Sequence, residues 1–129
     1  EKSNVNLYDN SNLYLDTIIS PSALNEEFYQ YINHLAPFGS GNNEPKFVIE
    51  NLKVLKSHII KDNHIRSVLI GKDGSVFTSF AWFAKDGPLE SILNKNSKKI
   101  FNIAGKMKLN EWKGRKKIEF EIEDLTIVN

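Results

Sequence analysis

The 129-residue sequence is 40% hydrophobic and 26% charged with a formal net charge of +1, the balance of one soluble domain with a single core rather than of a disordered or strongly polycationic chain. It contains no cysteine, which excludes a disulfide framework and thiolate metal sites and makes the cytoplasm the expected location. No apolar run approaches the roughly 20 residues that span a bilayer, and the polar start EKSNVNLYDNSN lacks a signal-peptide layout, so no membrane partner is expected; a start on Glu1 reads as a piece of a longer polypeptide.

Leu13 to Ile19 reads as a short strand. Ser20-Pro21 then supplies an N-cap serine and a proline at the first helical position. Leu24, Phe28, Tyr31, Ile32 and Leu35 recur at three- and four-residue spacing, so a helix is expected over Pro21 to Leu35, stopped by Pro37, Gly39 and Gly41. From Lys46 onward the period becomes alternating. Strands are expected at Phe47 to Leu55, with a bulge where the alternation slips at Asn51, at His64 to Ile70 and at Ser75 to Phe83. The last two are joined by Gly71-Lys72-Asp73-Gly74, whose Asp-Gly pair is a hairpin signal.

Gly87-Pro88 opens a short helix, Leu89 to Leu93. A long strand follows at Lys99 to Trp112, with Gly105 allowing a bend. After the turn Lys113-Gly114-Arg115, Ile118, Phe120 and Ile122 face one way in the last strand, and Glu119, Glu121 and Glu123 the other. Five strands with a helix between the third and fourth make a mainly β chain with the layout of a Greek-key oligonucleotide-binding (OB) barrel, preceded by one N-terminal helix. Such barrels hold oligonucleotides or oligosaccharides on their second and third strands. Lysines crowd the last third while the compensating acids gather in Glu119, Glu121, Glu123 and Asp124, so the surface is expected to be polarised.

Two segments are more specific. Leu35-Ala36-Pro37-Phe38-Gly39-Ser40-Gly41-Asn42-Asn43-Glu44-Pro45-Lys46-Phe47 resembles the junction of RecJ-type single-strand-specific exonucleases between the second domain of the catalytic core and the OB domain. Leu109-Asn110-Glu111-Trp112-Lys113-Gly114, with the strand that follows, is similar to that family's Asn-x-Trp-x-Gly hairpin, and His64-Ile65-Arg66 falls where the family tends to have His-Leu-Lys. The resemblance covers about Asp16 to Ile127. Asn43 departs from the family's proline, and Phe80 to Phe83 follows its Ala-x-Ala-Phe strand only loosely.

The resemblance implies three parts: residues 1–36 as the tail of the preceding core domain, 37–46 as a junction loop and 47–129 as the OB domain. It implies a parent bacterial enzyme of DNA repair and recombination that degrades single-stranded DNA from the 5′ end with Mn2+ or Mg2+ held by Asp and His motifs, among them Asp-His-His. None of those motifs occurs here, so the fragment is expected to carry no catalytic residue and no cofactor. Its expected partners are single-stranded DNA, the catalytic core of the same polypeptide and single-strand-binding protein.

Binding of this kind joins cations along the phosphates to aromatic faces under the bases. Lys106, Lys108, Asn110 and Trp112 share one parity of the long strand, Lys113 and Arg115 flank the next turn, and His64 and Arg66 alternate on the second strand. These eight are the candidate contacts, each lysine weighed against an ordinary solvated face. Trp112 is either a stacking platform or a cap on the barrel's open end, Trp82 reads as core, and His34 and His58 as incidental. A metal site built from His58, His64 and Asp62 falls short of the four ligands usual for structural zinc. In the alternative reading the domain docks on its core or on a partner, and the Glu119, Glu121 and Glu123 row matters more than the lysines.

Overall fold

The computed structural model describes residues 17–35, 45–94 and 96–128. Its elements run β1 (Thr17–Ile18), a 3-10 turn (Pro21–Ala23), α1 (Glu26–Leu35), β2 (Phe47–Ile60), β3 (His64–Ile70), β4 (Val76–Ala81), α2 (Pro88–Ile92), β5 (Phe101–Trp112) and β6 (Arg115–Ile127). The strands form one sheet in the order β1-β2-β3-β4-β6-β5, and β2 pairs with β5 as well. From β2 to β6 all neighbours are antiparallel except β4 and β6, which run parallel, as do β1 and β2.

The single long helix expected from Pro21 is instead a 3-10 turn followed by a separate α-helix. Ser20 makes no side-chain cap to the backbone, and its hydroxyl meets that of Ser22 at 2.9 Å. Asn25 takes the capping role, its Oδ1 accepting the Phe28 N–H at 2.8 Å. This satisfies one of the donors every helix leaves free at its start, and Glu26 and Glu27 in the first turn suit the positive end of the helix. The apolar stripe is also narrower than expected. Leu24, Phe28, Tyr29 and Ile32 pack on the sheet core, whereas Tyr31 and Leu35 are exposed. The contact that seats the helix is Phe28 on Phe47, ring centroids 5.9 Å apart.

Strand lengths follow from the alternation. β2 runs five residues past the expected Leu55, and the slip at Asn51 is a bulge. Asn51 has φ of 60°, its pairing with β5 shifts register between Ile49 and Leu52, and its N–H is taken by the Asn102 side chain at 2.9 Å. Of the strand expected from Leu13, residues to Asp16 lie outside the described ones, as does most of the junction to Lys46. Thr17 and Ile18 pair in parallel with Phe47 and Val48.

Alternation on β5 and β6 fills the interior. Phe101, Ile103 and Met107 meet Ile118, Phe120 and Ile122, all buried, and truncating a fully buried phenylalanine such as Phe101 or Phe120 costs about 3–5 kcal/mol. Gly105 does more than permit a bend. A β-carbon there would lie 1.9 Å from the Glu121 carbonyl oxygen, at a register shift between Ala104 and Gly105, so only glycine lets the two backbones approach this closely.

Candidate nucleic-acid interface

The outward positions of β3, β4, β6 and β5 form one continuous surface. Arg66 on β3 stands beside Phe80 on β4, Phe80 beside Glu121 on β6, and Glu121 beside Lys106 on β5. Two steps further along β5, Lys108 faces Glu119. The strand parity that singled out Arg66, Lys106, Lys108 and Asn110 therefore places them on a common face, although they come from opposite ends of the sequence.

The aromatic residues of that face are Phe80 and Trp82, and the sequence places Trp82 in the core. Trp82 is 45% exposed rather than core. Its ring lies parallel to Phe80, with an interplanar angle of 8° and centroids 5.7 Å apart, and its indole N–H donates to the Glu121 carboxylate. The Arg66 guanidinium lies 5.5 Å over the other member of this pair, the Phe80 ring, within the range of a cation–π contact. The alternation that buries Phe77, Ser79 and Ala81 turns Phe80 outward at the end of β4, and Trp82 follows on the same side in the turn just beyond it. In the apolar run Phe80-Ala81-Trp82-Phe83-Ala84 that parity is hidden, and the small Ala81 between two large rings is the signal that reveals it.

His64 shares the face but is nearly covered, 8% exposed. Trp82 and Phe83 contact its ring edge-on at 4.8 and 4.6 Å, and its Nδ1 accepts the Phe83 N–H at 2.8 Å. The structure thus places it as a support under the aromatic pair rather than among the open cations. His58, by contrast, is exposed and pairs across from Arg66. Among the described residues no group of three or more His, Asp or Glu side chains is placed to hold a metal ion.

Charges on the face are interleaved rather than segregated. Lys106 meets Glu123 at 3.3 Å and Lys46 meets it at 3.0 Å, while Lys108 lies 3.9 Å from Glu121. Burial raises the Glu123 carboxyl, but the hydrogen bonds and charges of Lys46 and Lys106 outweigh that and hold it below its ordinary value. Glu119 is buried beneath the face, with Asn110 Nδ2 donating to its Oε1 at 3.3 Å. Phe80, Trp82, Lys108, Leu109, Asn110, Glu119 and Glu121 enclose a cleft of about 240 Å3.

Trp112, Lys113 and Arg115 sit apart at the tip of the β5–β6 hairpin, where Trp112 pairs with Arg115. Lys113 at φ of 51° and Gly114 at 78° make the tight turn, which matches the right-handed twist of the strands. Trp112 is 66% exposed and carries the Lys113 ammonium 4.7 Å over its ring, so it does not close the end of the sheet.

A mainly β chain with a six-stranded sheet, few helices and this connectivity has an OB-type fold. Residues 15–124 match the family described as the RecJ OB domain, and the chain belongs to that family. It is similar to the crystal structure of RecJ from Thermus thermophilus in complex with Mn2+ at 24% identity and a TM-score of 0.61, over 88% of this chain and 15% of that one. The Mg2+ complex of the same enzyme matches at 20% identity and a TM-score of 0.59, over 87% of this chain and 16% of that one. This chain therefore corresponds to about one-sixth or less of those proteins' length. Comparison with curated proteins gives no significant match. Among the described residues, no helix is long and apolar enough to cross a membrane.

Proposed function

We propose that this chain is the non-catalytic single-stranded-DNA-binding module of a RecJ-type 5′-3′ exonuclease acting in cytoplasmic DNA repair and recombination. In this reading β2 to β6 are a five-stranded Greek-key barrel, residues 1–36 are the tail of the catalytic core, and the parent enzyme's Mn2+ or Mg2+ chemistry resides in that core. The observation that carries the proposal is the half-exposed Trp82 ring lying parallel to Phe80, with Arg66 over the Phe80 ring and Lys108 across the cleft.

An exposed indole offers a face to an unstacked base, and each such stack contributes about 1–3 kcal/mol without regard to sequence. Arg66, Lys113 and Arg115 flank that platform and the hairpin tip as phosphate contacts. Trp112 with Lys113 gives a second platform, and the Glu121 and Glu123 partners of Lys108 and Lys106 temper the grip. A strand held this way stays mobile enough to advance toward the core.

Competition between unlabelled single-stranded and duplex DNA for a labelled single strand tests the proposal. The single strand should compete at far lower concentration, because only unpaired bases reach Trp82. Equal competition would reduce the interaction to phosphate attraction alone. One observation favours a docking role instead, namely the charge balance of the lysine and glutamate rows. A folded chain that ignores DNA but binds the catalytic core or single-strand-binding protein would establish that reading.

A further inference from the structure

Glu119 is the least explained residue of the face. Its side chain is 3% exposed, yet its Oε2 has no hydrogen-bond partner. The Arg66 Nη2 makes a long ion pair with that oxygen at 3.8 Å, too far for a hydrogen bond, because its guanidinium is spread over Phe80. A buried carboxylate oxygen without a donor forgoes a charge-assisted hydrogen bond after losing its water, so such an atom in a folded protein calls for a partner that arrives from outside. Glu119 also lines the cleft beside Trp82, Phe80 and Asn110.

Resting on the single-strand reading above, we infer that this cleft is a base pocket in which Glu119 selects bases carrying an amino group. A base stacked on Trp82 turns its edge toward β6. Arg66, long and with a side chain 44% exposed, swings outward to the phosphate, and the amino hydrogens of the base complete Oε2. Cytosine presents its N4 amino group to such an acceptor, a pairing that acidic side chains also make in duplex recognition. Thymine presents one N3–H between two carbonyl oxygens, and both oxygens repel the carboxylate. Asn110 holds the other oxygen of Glu119 and fixes the carboxyl plane. The domain therefore prefers cytosine to thymine, while the phosphate contacts remain indifferent to sequence.

The test is anisotropy titration of the whole chain with labelled oligo-dC and oligo-dT of equal length, two pyrimidine strands that offer similar stacking area. Oligo-dC should bind about 5-fold or more tightly, and Glu119→Gln, which keeps the shape and loses the charge, should abolish most of that ratio. A strand carrying 2-pyrimidinone in place of cytosine lacks only the amino group and should bind the unaltered protein like oligo-dT, which keeps the test independent of how Glu119→Gln folds. Equal binding of dC and dT by the unaltered protein would overturn the inference and leave single-strand binding standing. A dC preference that survives in folded Glu119→Gln would remove Glu119 from the role. Binding of neither strand would overturn both readings together.

Discussion

The Nδ1 of His64 accepts the backbone N–H of Phe83 at 2.8 Å, and Phe83, 75% exposed, stands in the left-handed region at φ of 55°. A non-glycine residue in that conformation costs about 1–2 kcal/mol, so the hydrogen bond and the edge-on ring contacts are what hold the chain there as it leaves β4. The same histidine lies under Trp82, which makes it the support of the aromatic platform.

His64→Phe keeps a ring of similar size and removes the acceptor. The Phe83 N–H then loses its buried partner, and the variant should be destabilised by about 1–3 kcal/mol. Chemical denaturation with an unchanged m-value checks this, and single-strand affinity should fall with it because the segment that carries Trp82 and Phe83 is no longer tied down by that hydrogen bond.

Gly105→Ala should be more damaging than its size suggests. The added methyl meets a backbone carbonyl rather than a yielding side chain, so β5 and β6 must separate at their bulge. Overpacking of this kind costs about 1–3 kcal/mol or more, visible as a fall of several degrees in Tm. Gly114→Ala at the exposed hairpin turn, with open space around it, should cost less, about 1 kcal/mol from the positive φ alone.

Glu123→Gln separates stability from binding. The carboxyl of Glu123 is held below its ordinary value by Lys46 and Lys106 against the opposing effect of burial. A folded-state value below the unfolded one means a contribution that is present above the unfolded value, near pH 4, and lost as pH falls through the folded one. The unaltered protein should exceed Glu123→Gln at pH 7 by less than about 1 kcal/mol, since the pair is partly solvated, and the two should converge below about pH 4. At pH 7 the variant should bind single strands more tightly, because one negative charge is removed from the face beside Lys46 and Lys106.

Alternation made most of the fold legible. Strands β3 and β6 and the bulge at Asn51 follow from side-chain parity, and α2 follows from Gly87-Pro88. The break before α1 was also written in Asn25-Glu26-Glu27, an N-cap and acidic first turn overshadowed by the Ser20-Pro21 pair. The face is half legible for a similar reason. Charged residues reveal their outward parity on each strand, so Arg66, Lys106 and Lys108 could be grouped. Large apolar residues do not, and Trp82 sits in an apolar run in which it reads as core. Pairings between distant strands were illegible, because nothing local states that Glu123 stands beside Lys46 or that Phe83 leans on His64.

The measurement that bears most directly on the domain's role is anisotropy titration of the intact chain with a labelled oligo-dT strand from about 50 to 200 mM salt, beside Trp82→Ala and the double change Lys113→Ala with Arg115→Ala. With Arg66, Lys113 and Arg115 each neutralising one phosphate, affinity should fall about 20-fold across that range. Trp82→Ala should lose about 5-fold or more at every salt concentration, and the double change should flatten the salt dependence. A folded chain that does not bind at low salt, or that binds identically with and without Trp82 and the tip cations, would contradict a single-strand grip on this face.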